Sequence, residues 1–249
     1  MPVLLAFIAH PDDESYAFGG TIALAATAGW RCLVHCASFG EGGERHDGGD
    51  PDSGMLALAR ARELEASCEL LGARAPEFWG WPDGGLFGRT DGPRRVRSAI
   101  RRARPDLVLA PGRDGAYGHP DHLAVHRWVQ EAVDSLDDVP PVLFAVFPRG
   151  LFVPQYEKCV AAGIMGDPPP FERGEIGIES PDYRVNVSAV RERKLASIGA
   201  HLTQLPGGDP EAMFPAGIVE ATLDEEWYCD VRQGAGDDVR TVLADLARL

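Results

Sequence analysis

Several features are scarce or missing in this 249-residue chain, and each absence narrows its class. Cysteine is sparse. Cys32, Cys36, Cys68, Cys159 and Cys229 form an odd set without a CxxC pair. That excludes the paired framework of a small disulfide-stabilised secreted domain. They read as core thiols in a reducing cytoplasm. Positive charge is in deficit, with 24 Lys and Arg against 38 Asp and Glu and a formal net charge of −14. Such a chain repels polyanions, so nucleic acid and anionic membranes are poor partners. A neutral or cationic small molecule fits better. Long hydrophobic runs are absent as well. Residues 3–9 (VLLAFIA) are apolar, but too few to span a bilayer and without the basic flank of a signal peptide, so neither membrane insertion nor targeting is expected. The chain also has no GxSxG elbow and no HExxH. Gly40, Gly42 and Gly43 match neither GxGxxG nor GxxxxGK[ST], so nucleotide binding has little support.

What is present is a strand–helix rhythm. Apolar runs or β-like patterns at Pro2–Ala9, Arg31–Ser38, Glu77–Trp79, Asp106–Ala110 and Val142–Phe147 predict strands. Helical patterns fall at Glu14–Gly29, Met55–Leu71, Arg94–Ala103 and His122–Ser135, with Gly72 just past the second. Alternation of this kind implies one α/β domain over residues 1–249: a Rossmann-like, mostly parallel twisted sheet with helices on both faces. From about residue 150 the pattern loosens. Residues 163–181 are rich in Pro and Gly and read as a surface excursion. Tyr183–Val187 is a late strand and Ser188–Gly199 a helix.

Two motifs carry chemistry. His10-Pro11-Asp12-Asp13-Glu14 follows the first strand, at the edge where open α/β sheets bind ligands. Imidazole and carboxylate suit zinc and other divalent first-row metals. Two adjacent aspartates point apart, so one can bind a metal while the other acts as base to a water. Helix capping by Asp12 or Asp13 is the competing explanation. Tyr117-Gly118-His119-Pro120-Asp121-His122 follows the fourth strand at the same edge. Three protein ligands with one open position form a catalytic zinc pattern, and the two motifs together predict one metal centre at the C-terminal edge of the strands.

With these motifs the chain resembles the PIG-L/LmbE family of zinc-dependent N-deacetylases. That family carries a (P/A)HPDDE string near its N-terminus, matched here by Ala9–Glu14, and a later HPDH, matched by His119–His122. Weaker matches are Ser38–Gly43 (SFGEGG), Arg60–Leu64, Trp81–Leu86 (WPDGGL) and His201–Gln204 (HLTQ). The resemblance is good over about residues 3–130 and thin thereafter. It implies that His10, Asp13 and His122 hold Zn2+. It makes Asp12 the general base and then acid, His119 a charged or hydrogen-bonding group near the oxyanion, and Asp121 its orienting partner. Tyr117 is implied to reach the substrate carbonyl oxygen, and Arg60 and Asp83 to bind sugar hydroxyls. The implied substrate is a small N-acyl molecule, with acetyl the expected acyl group.

Other residues read more plainly. His126, four residues after His122, offers an alternative metal pair, but that leaves Asp12 and Asp13 unexplained. His35 reads as a core histidine and His46 as a solvated one. His201 is either a site residue or a helix-end surface residue. Six arginines within Arg94–Arg104 read as a solvated helix face. Two rival functions remain: a metal-dependent phosphoesterase, and a non-catalytic metal- or nucleotide-binding module. Homo-oligomerisation is compatible with the sequence.

Overall fold

The computed structural model describes residues 1–230; residues 231–249, included in the expected single domain, lie outside the described part. In chain order the elements are β1 (Val3–Ile8), α1 (Asp13–Thr27), β2 (Arg31–Cys36), α2 (Ser53–Leu71), β3 (Glu77–Phe78), α3 (Gly92–Ala103), β4 (Leu107–Pro111) and the short α4 (Gly115–Gly118). There follow α5 (Pro120–Asp134), β5 (Val142–Val146), α6 (Val153–Ala161), β6 (Tyr183–Asn186), α7 (Arg191–Gly199), α8 (Ile218–Thr222) and β7 (Glu225–Asp230).

One seven-stranded sheet has the order β3-β2-β1-β4-β5-β7-β6. Strands β1 to β5 pair in parallel, and β7 pairs antiparallel with both β5 and β6. Strand β1 reads VLLAFI and is buried at every position, as a parallel strand covered on both faces must be. One apolar layer lies with α1, the other with α3 and α5. The expected Rossmann-like architecture is therefore the observed one. The 163–181 excursion holds a turn of 3-10 helix at Arg173–Glu175 and an isolated parallel bridge from Ile178 to Pro148.

The sheet order creates the site. From β1 the chain winds outward through β2 and β3; from β4 it winds the other way through β5. The direction reverses between β1 and β4, where adjacent loops part and leave a crevice. The first motif leaves β1 and the second follows β4, so both open into that crevice.

Helix ends follow local chemistry. Asp52 caps α2, accepting from Gly54 N and Met55 N, and Gly72 ends it at φ 76°, where a side chain would be strained. Helix α1 is different: Asp12 stands at its N-cap position yet makes no side-chain cap. Among the described residues no helix is long and apolar enough to cross a membrane.

Candidate active site

Asp13 is held to the end of β1. Its Oδ2 accepts the backbone N–H groups of Ala9 and His10, each at 3.0 Å. Its Oδ1 accepts the Tyr16 hydroxyl at 3.1 Å and lies 3.1 Å from His122 Nε2. His122 sits one turn into α5 and donates from Nδ1 to the Gly115 carbonyl at 3.0 Å. His10 donates from Nε2 to Asp83 Oδ1 at 2.9 Å, with Asp121 Oδ2 at 3.4 Å.

These outer partners assign the ring tautomers. Each histidine carries its proton on the outward nitrogen, so the inward nitrogen presents a lone pair. His10 Nδ1 and His122 Nε2 lie 3.3 Å apart, and Asp13 Oδ2 is 3.8 Å from His10 Nδ1. With both rings neutral, three lone-pair donors converge, an arrangement relieved by a proton or a metal cation between them. Ligands at zinc distances of ~2.0–2.1 Å in a tetrahedron stand ~3.3 Å from one another. The His10–His122 and Asp13–His122 spacings of 3.3 and 3.1 Å fit that figure, the Asp13–His10 spacing of 3.8 Å is longer and is made by the other carboxylate oxygen, and the donor set suits a divalent first-row metal. The electrostatics agree. Burial works against charging His10, but Asp83, Asp121 and Asp13 raise it well above the usual imidazole range. Burial also works against ionising Asp13, yet His122 and His10 hold its carboxyl well below the usual range. The cluster favours an added positive charge.

His119 brings a ring nitrogen within 4.8 Å of donors from His10 and His122, so it borders the same point. Its Nδ1 accepts the Asp121 N–H at 3.3 Å, which makes it the N-cap of α5 and leaves Nε2–H as a donor. Burial, reinforced by His122 and His10, pushes its pKa down to about 2. That depression favours the hydrogen-bonding one of its two expected roles over the charged one. A second grouping, His10 with Asp83 and Asp121, uses the opposite nitrogen of His10. Its contacts, at 2.9 and 3.4 Å, serve as the hydrogen bonds that orient the His10 ring.

Asp12 is free of the metal cluster. Its side chain is 18% exposed, and Oδ2 pairs with Arg60 Nη2 at 2.8 Å. Burial and the neighbouring Asp13 push its carboxyl up to about 6, against the pull of Arg60. A carboxylate near that value can exchange a proton close to neutral pH. Its backbone has φ 106° and ψ −29°, a left-handed conformation that costs an L-residue about 1–3 kcal/mol and persists only where surroundings impose it. Tyr117 stacks on Phe152, with ring centroids 5.9 Å apart, and meets His122 edge-on at 5.4 Å. Burial and the nearby Asp13 keep its hydroxyl protonated, well above the usual phenol range. That hydroxyl has no hydrogen-bond partner among the described residues.

Three side chains stand elsewhere than their expected roles. Asp83 is already engaged through both oxygens: Oδ1 takes His10 and Oδ2 takes Gly42 N at 2.9 Å. Arg60 is buried and bonds to Gly40 O at 2.7 Å, to Pro11 O and to Asp12; it braces the Asp12 carboxylate. The carboxylate of Asp121 does not orient His119. It accepts from Gly84 N at 2.8 Å and Leu86 N at 3.0 Å, and so ties the loop bearing Asp83 to α5. Gly40 sits at φ 67°, and a Cβ there would lie 2.2 Å from Arg60 Nη1. The glycine thus makes room for the arginine. Two residues escaped assignment. Glu14, wholly buried, accepts from Asp12 N at 3.0 Å, from Ser67 Oγ and from His201 Nε2 at 2.8 Å. His201 is therefore no surface residue. His126 turns away to Pro111 O. A cavity of ≈ 570 Å³ beside α3 sets Arg101 and Arg104 against Asp137 and Asp138 and contains none of these groups; the chemistry, not the volume, locates the site.

Comparison with known proteins identifies the family. Residues 5–133 match the family described as PIG-L: GlcNAc-PI de-N-acetylase. The 1D-myo-inositol 2-acetamido-2-deoxy-alpha-D-glucopyranoside deacetylase of Acidothermus cellulolyticus is 31% identical over 92% of this chain and 88% of its own length. In structure the chain is similar to the N,N'-diacetylchitobiose deacetylase of Pyrococcus horikoshii, with TM-score 0.61, 22% identity, and coverage of 95% of this chain and 88% of that one. It is also similar to GalB, the 4-carboxy-2-hydroxymuconate hydratase of Pseudomonas putida KT2440, with TM-score 0.66, 22% identity, and coverage of 95% and 99%. At those identities the likeness is one of fold. The family match and the 31% relative are decisive, and this chain belongs to the PIG-L, GlcNAc-PI de-N-acetylase, family.

Proposed function

We propose that this chain is a zinc-dependent N-deacetylase that hydrolyses the acetamide of a small amino-sugar-type metabolite in the cytoplasm. The observation that carries the reading is a division of labour between adjacent aspartates. Asp13 joins His10 and His122 in a convergent donor set, while Asp12 stays outside it. A non-catalytic binding module has no use for the second carboxylate. The substrate class follows from the relative's acetamido sugar, and the acidic chain suits a neutral substrate that yields a cationic amine.

A divalent ion held by His10, Asp13 and His122 would supply Lewis acidity toward the amide carbonyl and an acidified water. Asp12 accepts a proton from the water as its oxygen adds to the carbonyl carbon. His119 Nε2–H and the Tyr117 hydroxyl donate to the oxygen that gains charge, each such donor contributing ~3 kcal/mol where it acts. Asp12 then returns its proton to the nitrogen, the C–N bond breaks, and the acid's remaining proton passes to the amine, so that carboxylate and ammonium leave. Asp83 holds His10, Asp121 holds the Asp83 loop, and Arg60 holds Asp12; these three act through others.

The test is amine release from a panel of N-acetyl amino sugars by protein stripped of metal and reloaded with zinc, alongside Asp12→Asn. The expected result is zinc-dependent release that disappears in Asp12→Asn while one zinc per chain is retained. Loss of zinc in that variant would overturn the assignment of roles. Failure of the zinc-loaded wild type across the panel would overturn the substrate class.

A further inference from the structure

We propose that Glu14 is a positioning residue for Asp12, and that His201 and Ser67 hold Glu14 in place. The proposal rests on the reading of Asp12 as the base. Its starting point is that Asp12 occupies the N-cap position of α1 without capping it. An aspartate there would ordinarily turn its carboxylate onto the first backbone N–H groups of the helix. Here the left-handed backbone and the Arg60 contact keep the carboxylate out of that use.

Glu14 imposes the backbone. Its Oε2 accepts the Asp12 N–H at 3.0 Å and so fixes the peptide that sets φ of residue 12. Glu14 itself cannot swing: Ser67 Oγ from α2 and His201 Nε2, 187 residues away in sequence, both reach Oε1. All three side chains are fully buried. The segment after α7 is anchored in turn, because Thr203 donates from N and Oγ1 to Glu63 on α2, each at 2.7 Å.

This arrangement is not what stability alone favours. His201 Nδ1 is buried without a hydrogen-bond partner among the described residues, and a buried orphan nitrogen weakens a fold. Burying a carboxylate and an imidazole behind a strained peptide is intelligible if the peptide's conformation is what the site needs. Without Glu14, the Asp12 peptide is free to relax, and its carboxylate to close onto α1 as a cap. The base is then displaced while His10, Asp13 and His122 keep their own supports. A displacement of about 1 Å costs on the order of a hundredfold in rate.

The experiment compares Glu14→Ala, Glu14→Gln and His201→Asn in zinc-loaded, full-length protein. It measures kcat and KM separately, zinc per chain, and the backbone of residue 12 in crystal structures. In Glu14→Ala we expect kcat to fall at least tenfold, KM to stay within twofold and zinc to remain stoichiometric. Glu14→Gln, which keeps an oxygen for the Asp12 N–H, recovers part of the loss. Unchanged kcat in Glu14→Ala, or a loss proportional to lost zinc, overturns the proposal. Should Glu14→Ala not fold, His201→Asn decides: a fall in kcat without loss of zinc supports the proposal, and an unchanged kcat overturns it. The residue-12 φ separates this idea from the proposed activity, since it is read whether or not an acetamide is hydrolysed. A positive φ retained in Glu14→Ala, or in His201→Asn where that variant decides, overturns the positioning role even if deacetylation is confirmed.

Discussion

Replacing Asp83 with asparagine should weaken metal binding and leave substrate binding almost untouched. Asp83 uses its two oxygens separately: Oδ1 on His10 Nε2 at 2.9 Å and Oδ2 on Gly42 N at 2.9 Å. Asparagine offers one acceptor oxygen, so one of those contacts is lost whichever way the amide turns. It also removes the charge that makes His10 more basic. A partner of this kind behind a ligating histidine commonly contributes ten- to a hundredfold in metal affinity, or ~1.4–2.7 kcal/mol. The loss should sit toward the lower end, because Asp121 Oδ2, 3.4 Å from the same nitrogen, can take over part of the role. Competition between apo-protein and a chromogenic zinc chelator measures the affinity directly. Kinetics at saturating zinc then measure what remains. The expected outcome is zinc affinity down by at least tenfold with KM within twofold of wild type. An unchanged zinc affinity with KM raised tenfold would show that Asp83 binds a sugar hydroxyl after all, and would refute the reasoning from its hydrogen bonds.

Tyr117→Phe should lower kcat about a hundredfold with zinc content and thermal stability unchanged, since its hydroxyl has no partner to lose and each oxyanion donor is worth ~3 kcal/mol; an unaltered kcat removes it from the mechanism. Gly40→Ala places a methyl 2.2 Å from Arg60 Nη1 at φ 67°, so both the melting temperature and kcat should fall, and a wild-type kcat would show that Arg60 does not brace Asp12. Burial depresses His35 to about 4 against the pull of Glu77, so its proton prefers the unfolded chain. That stabilisation is complete above about pH 6.5 and fades as pH falls toward 4, by up to about 3 kcal/mol. Urea unfolding of metal-free wild type and His35→Gln over that range should diverge with this sign, and parallel curves would contradict it.

The parts of the fold legible in the sequence were those whose residues are governed by local pattern. VLLAFI at β1 is apolar at every position because both faces are covered, and Gly72 ends α2 because its φ is positive. Strand β7 was not legible. Glu226 occupies a buried position in it, which breaks the expected apolar pattern. The charge is tolerated because Lys194 Nζ lies 2.6 Å away, with Thr21 and Tyr228 hydroxyls on the other oxygen. No window along the chain contains both the glutamate and the lysine that excuses it.

The same distinction divides the site. His10 and Asp13 are three residues apart on one strand-to-helix turn, and His122 belongs to a second short string, so residue type and spacing were enough to nominate them. Asp83, Arg60 and Glu14 are chemically just as recognisable, but a carboxylate or guanidinium is defined by what it faces. Asp83 faces His10, 73 positions back in number, and Glu14 faces His201 across 187. From residue type alone, a polar group in the right loop reads as a substrate contact. In the folded chain the buried ones turn inward instead, because a charge removed from water must be paired. Asp83 goes to His10, Arg60 to Asp12, and Asp121 to the loop that carries Asp83. The groups left with unspent capacity, the Tyr117 hydroxyl, His119 Nε2–H and the partly exposed Asp12, are those best placed to meet a substrate. Outside the cluster of His10, Asp13 and His122, unspent hydrogen-bonding capacity is what singles these three out.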